Sequence, residues 1–577
     1  MLVGFSSAYK LRWVNDDIFI TLRYAENWLN GNGLVYNVGE RVEGYTHFLW
    51  LCLIALFQRL GLNPVNVTEW LGLISYAAVL VVCAAISLKS RQGTKALFPL
   101  ATVILALHFD FKIWATSGLE TSLFTLQIAL TLFVLLFWQK EEKIRILVAG
   151  MIMTLNVMTR PDGAVFFAVF GLFVVIQSWA RGKQPKSILI DTLYFSAAFF
   201  VLFLPYFAWK YSYYGDIFPN TYYAKSGGLS NFDQGFFYIY TFLRGYPSSL
   251  LMFLGVVFLF LRLKSSKDEK LIGRFREMLL QPTSASVILM LTAAAAYSVL
   301  FVARVGGDFM YARFLSPVIP LLYLSAEIGM RHLLADKRKY LFVLLVSIPL
   351  LVLYEKSLRD ELFIEPNGQR KPAYQLQGIT DEYWYWTQTE TFNGINPIEA
   401  NELIGRQLEQ YFRGTKVQVL LRGQASLGYY GQFYQCVENA GLTDSFIAHL
   451  PLQERGRPGH EKNAPLNYLV ERRVHFVFFR SPYDTSAYRF VNFKIGGGYG
   501  RAEMFIYDRE LMSHLHKNFP KEILFTDFEA YLDQYISAVK SKKRDEVERD
   551  YAKFKDFYFG HNGDQQRERK FLQYLGK

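Results

Sequence analysis

Between residues 46 and 354 the chain is a series of long apolar runs separated by short polar connectors, and no other feature restricts its fold so strongly. A helix crosses a bilayer with about 20 mostly apolar residues, and with fewer where neighbouring protein shields its ends. Ten runs meet or approach that length: 67–88, 96–108, 119–138, 144–159, 163–179, 188–209, 247–263, 285–303, 314–330 and 340–354. A content of 52% hydrophobic and 17% aromatic residues in a chain of 577 is unusual for a soluble protein and fits that reading. From 355 to 577 charge and turn residues return to soluble levels. We therefore expect a polytopic α-helical membrane domain over 1–354, with about 10–11 spans, followed by an α/β soluble domain over 355–577.

The connectors supply an orientation, because cytoplasmic loops collect Lys and Arg. "KSRQGTK" from Lys89, "QKEEKIR" from Gln139, "ARGKQPKS" from Ala180, "RLKSSKDEKLIGRFREMLLQPTS" from Arg262 and "RHLLADKRK" from Arg331 are rich in basic residues, and they are every second connector. The alternate connectors then fall on the extracytoplasmic side together with the 355–577 domain. This alternation holds only if 46–60 is not a crossing, so we read that segment, with His47 and Trp50 at its start, as an interfacial or re-entrant helix. The net charge of +12 sits mostly in the basic connectors, which favours a topological signal over a nucleic-acid partner. Cys52, Cys83 and Cys436 are too few and too scattered for a disulfide framework or a metal site, and packing is their expected role. Residues 2–13 lack the apolar core and cleavage site of a removable signal peptide.

The conspicuous polar motifs all fall on the extracytoplasmic face. They are "NDDIF" with Asp16 and Asp17, "ERVEGYTHF" with Glu43 and Tyr45, "TSGLET" with Glu120, "TRPDG" with Arg160, "YYGDIFPNTYYAK" with Asp216, Asn220 and Lys225, and "RVGGDFMYARF" with Arg304, Asp308 and Arg313. Ionisable groups at membrane level are costly and point to function, and a shared face puts them in reach of one cleft. Asp16 and Asp17 can simply start the helix "IFITLRYAENWL", one as a cap and the other favoured by the helix dipole. Two adjacent carboxylates exceed what a cap needs, however, and the pair also suits a general base that accepts a proton from an attacking hydroxyl. Glu120 follows small residues that cap a helix, yet at the water–lipid boundary it can bind sugar hydroxyls. Gly306 and Gly307 allow close backbone approach to a ligand beside Asp308, or merely a tight loop. Arg160, Lys225, Arg304 and Arg313 either snorkel toward headgroups or hold a lipid phosphate. The sequon at Asn66 is expected to go unused. His460 in "RGRPGHEK" lacks metal-ligand spacing and reads as a surface contact.

An acidic pair ahead of an interfacial helix and many crossings resembles the GT-C superfamily of integral-membrane glycosyltransferases. More closely, "DDIFITLRYAENWLNGNGLVYNVGERVEGYTHFLW", "TSGLET", "TRPDG", "YYGDIFPNTYYAK" and "GGDFMYARFLSP" look like the group containing the mycobacterial arabinofuranosyltransferase AftB, the ZomB flagellar motor control proteins and the LphB-like proteins. "GLTDSFIAHLPLQERGRPGHEK" from Gly441 extends the likeness into the soluble domain. The resemblance implies a GT-C type membrane domain in the inner membrane with its site on the periplasmic side. It implies inverting transfer of a sugar, arabinofuranose or another pentose or hexose, from a polyprenyl-phosphate donor to an envelope glycan. It carries the catalytic Asp of the superfamily's first extracytoplasmic loop onto Asp16 or Asp17, with Asp16 favoured, and the second-loop acid onto Glu120. Asp308, Glu43, Tyr45, Asp216 and Asn220 are then expected to join Glu120 on the substrate, with Arg160, Lys225, Arg304 and Arg313 on the lipid phosphate. No cofactor is required, and a divalent cation is left open. The alternative is a non-catalytic envelope protein of the same fold that acts through a partner such as the flagellar motor. Relatives carry a spanning helix before the acidic pair, so one more apolar helix is expected ahead of Leu2.

In the soluble domain, strand-like "VQVLL" and "VHFVFF" alternate with helical "PIEANELIGRQLEQYF" and "APLNYLVERR". The tail from Phe528 is helical and heavily charged. Without a broad apolar stripe, "SKKRDEVERDYAKFKDF" is expected to be solvated or to dock a partner.

Overall fold

The computed structural model describes residues 1–90, 99–225, 228–266, 270–334, 338–390, 394–479 and 482–576, the side chains of 338–345 excepted. It divides into two compact units. The first comprises Met1–Ile18, Tyr45–Thr387 and Glu454–Glu461, and the second Phe19–Gly44, Gln388–Gln453 and Lys462–Lys577.

The first unit is helical. Pro64–Lys89, Gly163–Ala180, Pro185–Tyr214, Pro247–Ser265 and Pro282–Ala303 are each long and apolar enough to cross a membrane. Four of the five open on a proline, which loses nothing at a first turn whose N–H groups have no partner inside the helix. At Pro64 the start is completed by Asn63, whose side chain accepts from the N–H groups of Val65 and Asn66. The remaining apolar runs form the helices Leu100–Leu107, Thr121–Leu136, Glu142–Thr159, Ile319–Leu333 and Arg338–Phe363. Ile319–Leu333 is short for a bilayer, but thirteen of its residues, Ile319 to Arg331, are buried by protein. Small residues let these helices approach. A Cβ on Gly150 would lie 1.8 Å from Phe195 O, and one on Gly329 2.2 Å from Leu254 O. Phe48–Arg59, at 12 residues, is too short to cross alone. Parts of three basic connectors, residues 91–98, 267–269 and 335–337, lie outside the described residues.

The second unit is α/β. Its six strands are β1 (Gln418–Leu421), β2 (Gln435–Glu438), β3 (Phe476–Phe478), β4 (Phe490–Ile495), β5 (Gly498–Met504) and β6 (Ile523–Phe525). They lie in the order β2-β1-β3-β5-β4-β6, with β1 parallel to β2 and β3 and the other pairs antiparallel. The expected helix at Pro397–Phe412 is present, capped by Asn396.

Two expectations are corrected. The domain boundary does not fall at 354/355, because the helix Arg338–Phe363 runs on into the first unit's core. There buried Arg359 is held by Asp110 at 3.2 Å and by Asp381 at 2.6 Å. Nor is the charged tail a solvated helix. Phe528, Val547, Phe554, Phe557, Tyr558 and Phe571 are buried, and Phe528 packs on Phe554 and Phe557 at 5.5 and 4.9 Å between ring centroids.

Candidate active site

The acidic pair is positioned by its neighbours in the chain. Trp13 donates its indole N–H to Ile113 O at 2.8 Å, and the Asn15 N–H donates to Ser117 O at 2.9 Å, which pins the segment to the loop before Thr121–Leu136. Asn15 Oδ1 accepts from the Asp17 N–H at 2.9 Å, an Asx turn that leads into the helix Ile18–Leu29. Asn15 thus starts the helix. Asp16 is buried and Asp17 half-buried. The charge of Asp17 is felt at two other groups of this unit, His47 and Glu382.

Glu120, at the cap of Thr121–Leu136, is the centre of a paired cluster. Its Oε1 accepts from Arg160 at 3.1 Å and from Arg313 at 3.4 Å, and its Oε2 lies 3.7 Å from His47 Nδ1. Arg160 also donates Nε to Asp162 Oδ1 at 2.9 Å, and Asp162 Oδ2 accepts from the Tyr297 hydroxyl at 2.6 Å. The Arg160 guanidinium sits over the rings of Phe124 and Phe314, at 5.3 and 5.1 Å. Arg313 reaches Asp308 Oδ2 at 3.5 Å. Gly306 and Gly307 turn the chain with φ of +90° and +72°, and Ala312 holds φ +62° just before Arg313. Only glycine fits at 307, where a Cβ would meet the Tyr238 ring at 2.5 Å.

The electrostatics follow from this pairing. Burial alone would push the Glu120 carboxyl up, but Arg313, His47 and Arg160 outweigh it and hold it at about 2. Burial pushes His47 below its usual value; Glu120 and Asp17 oppose this, while Arg313 and Arg160 add to it. His47 is therefore a neutral imidazole near pH 7. Three carboxylates, Glu120, Asp162 and Asp308, pair with the two guanidinium groups of Arg160 and Arg313. Two buried donor atoms, Asn15 Nδ2 and Arg313 Nε, have no hydrogen-bond partner among the described residues, which is how a site for a polar ligand presents itself.

The structure brings together Asp17, Glu120, Arg160, Asp308 and Arg313 of the residues singled out in the sequence. Tyr45 shares a 3.2 Å hydroxyl contact with Tyr214, Asn220 opens the short helix Asn220–Ala224, and Asp216 is half-buried in the turn before it. Glu43 is buried in the second unit. Lys225 and Arg304 are exposed and, among the described residues, make no ion pair. Sequence reading missed His47, Asp162, Tyr297, Glu382 and Arg457. Asp162 carried a signal, since an acid two residues after Arg160 across Pro161 can turn back onto it. Arg457 carried one only as part of the "RGRPGHEK" motif, and Glu382, in the aromatic-rich stretch after Asp381, carried none.

No family model matches the chain. It is similar to the terminal β-(1→2)-arabinofuranosyltransferase of Corynebacterium glutamicum, with 28% identity over 343 residues, 56% of this chain and 48% of the relative. It is similar also to the enzyme of the same description from Mycobacterium tuberculosis, with 27% identity over 369 residues, 59% of this chain and 55% of the relative. The chain thus spans about half the length of the curated relatives it matches. The resemblance read from the motifs, to the arabinofuranosyltransferase group, is found again in these alignments. Among solved structures, ArnT from Cupriavidus metallidurans aligns in its apo state at a TM-score of 0.48 and 12% identity, over 87% of this chain and 96% of that one. Bound to undecaprenyl phosphate, it aligns at 0.45 and 11%, over 75% and 83%.

Proposed function

We propose that the chain is an integral-membrane glycosyltransferase that moves a sugar, arabinofuranose or another pentose or hexose, from a polyprenyl-phosphate donor to an extracytoplasmic envelope glycan. The observation that carries this reading is the aligned likeness to two terminal arabinofuranosyltransferases over more than half of the chain. The site is compatible with the chemistry. In inverting transfer the acceptor oxygen forms a bond to the anomeric carbon as the carbon–oxygen bond to the phosphate breaks, and a base takes the acceptor's proton. The Asp16–Asp17 pair supplies that base; Asp17, the more accessible of the two, is the one a water-borne hydroxyl reaches in this conformation. The departing group is a phosphate anion that needs stabilisation more than protonation. The protein acts in the inner membrane with the site and the soluble unit facing the periplasm, a reading supported by the alternation of basic connectors.

The test is transfer from a radiolabelled polyprenyl-phosphate pentose to an envelope arabinan by the full chain in nanodiscs. Asp16→Asn and Asp17→Asn are made in parallel. The variant that removes the base should lose roughly 100-fold or more in turnover, in line with general-base contributions. Melting should be unchanged, because Asn15 supplies the helix start. Wild-type transfer by both variants would sink the catalytic assignment.

A further inference from the structure

The phosphate's partners are the open question within that reading, and the two arginines at the site are each paired with carboxylates. To bind a phosphate, Arg160 would have to leave Glu120 and Asp162, which strands a buried carboxylate, while Arg313, holding Glu120 and Asp308, offers only its unpartnered Nε.

A second set of cations lies next to this cluster. The segment Glu454–Glu461, part of the "RGRPGHEK" motif, folds with the first unit although its sequence neighbours belong to the second. Arg457 stacks its guanidinium over Phe309, 4.4 Å from the ring centre, directly after Asp308. Its Nη2 donates to Glu382 Oε1 and Thr380 Oγ1, each at 3.1 Å. Its Nη1 and Nε have no partner among the described residues, and Nε is buried. His460 packs against Phe309, edge to face at 4.8 Å. Lys225 lies across the same loop, its Cε 3.3 Å from where a Cβ on Gly459 would be; Gly459 holds φ +79°. Arg455 pairs with Glu461 at 3.2 Å. The rim therefore carries Lys225, Arg455 and Arg457 against Glu382 and Glu461, with Lys225 in surplus.

We infer that Lys225 and Arg457 form the site for the donor's phosphate, on the Asp308–Phe309 turn. The inference rests on the reading of the donor as a lipid phosphate. The Arg457 fork, fixed by Glu382 and by stacking, presents its remaining donors in one plane, the arrangement that suits phosphate oxygens. Lys225 adds a mobile point charge. Glu382, which holds Arg457, also feels the charge of Asp17.

The test measures binding without turnover. Full-length protein in nanodiscs of neutral lipid is titrated with farnesyl phosphate, farnesol and inorganic phosphate, read by calorimetry, for wild type, Lys225→Ala, Arg457→Ala, Arg457→Lys and Asp17→Asn. Farnesyl phosphate should bind about tenfold more weakly to each alanine variant, the size of one lost charge-assisted contact. Arg457→Lys should fall between, and Asp17→Asn should match wild type. Farnesol should not distinguish the proteins. Arg457→Ala leaves Glu382 unpaired, so Lys225→Ala, at an exposed residue, is the variant that tests the site with the fold undisturbed. Wild-type affinity for farnesyl phosphate in Lys225→Ala and Arg457→Ala overturns the inference and leaves the glycosyltransferase reading untouched. Inorganic phosphate binding as tightly as farnesyl phosphate would mark a free-anion site and overturn the assignment to the donor.

Discussion

Replacing Glu120 by Gln tests the pairing at the heart of the site. The substitution keeps shape and removes the charge that Arg160 and Arg313 share, beside the His47 imidazole. The carboxyl is held at about 2 against an ordinary 4.5. A carboxyl depressed on folding stabilises the protein above its unfolded value and loses that contribution as pH falls through the folded one, so the effect is fully present at pH 7. The size of the shift corresponds to roughly 3 kcal/mol, an upper bound because His47 contributes to it only when protonated, and Glu120→Gln, which mimics the protonated acid, should lose up to about that much. Most of the difference should persist at pH 4.5, and about 1 kcal/mol of it should remain at pH 3. The assay is thermal melting of detergent-solubilised protein across pH 3–7. A gap on the order of 5 °C is expected at pH 7, narrowing toward pH 3. If the variant melts within a degree of wild type at pH 7, or the gap stays constant with pH, the cluster is not held by Glu120 and the reasoning fails.

Orientation can be read by cysteine labelling in a background without Cys52, Cys83 and Cys436. Cysteines at Gly228 and Asn562 should react with an impermeant reagent from outside the cytoplasmic membrane and one at Lys186 should be protected, and the reverse pattern would remove the periplasmic site. In the second unit, Phe554→Ala should cost about 3–5 kcal/mol, the range for a buried aromatic. Chemical unfolding monitored at the sheet tests this, and a loss under 1 kcal/mol would return the tail to a solvated role.

The helices of the first unit were legible because apolar length is a direct demand of the bilayer, and every one of the ten runs lies on a helix or adjoins one. The domain boundary was not, because apolarity marks where lipid contact ends and says nothing of where packing ends. Arg359, a charge that looks like the start of soluble sequence, is buried between Asp110 and Asp381. In the second unit β1 and β3 announced themselves as continuous apolar stretches, while β4 and β5 were hidden by the glycines at Gly496, Gly497 and Gly498 and by polar residues on their exposed faces. The tail misled for a different reason. A π-helical turn at Lys555–Phe559 shifts the period, so Phe554, Phe557, Tyr558 and Phe559 face inward without tracing a 3.6-residue stripe.

At the site, sequence detects an ionisable residue by contrast with its apolar surroundings, which is why Glu120, Arg160, Asp308 and Arg313 stood out. Contrast cannot say which charges cancel. Arg160 and Arg313 read in the sequence as phosphate ligands, and the structure pairs them with Glu120, Asp162 and Asp308. Arg457 lies in the "RGRPGHEK" motif, but in charged sequence one more arginine gives no contrast, and its place beside Asp308 depends on a segment that leaves its sequence neighbours to join the first unit. A ligand anion is drawn to charge left over after internal pairing, not to charge as such. Within the proposed phosphate site, Lys225, exposed and without an ion pair among the described residues, is the charge left over, and Arg457, although it pairs with Glu382, keeps a buried Nε without a partner among those residues.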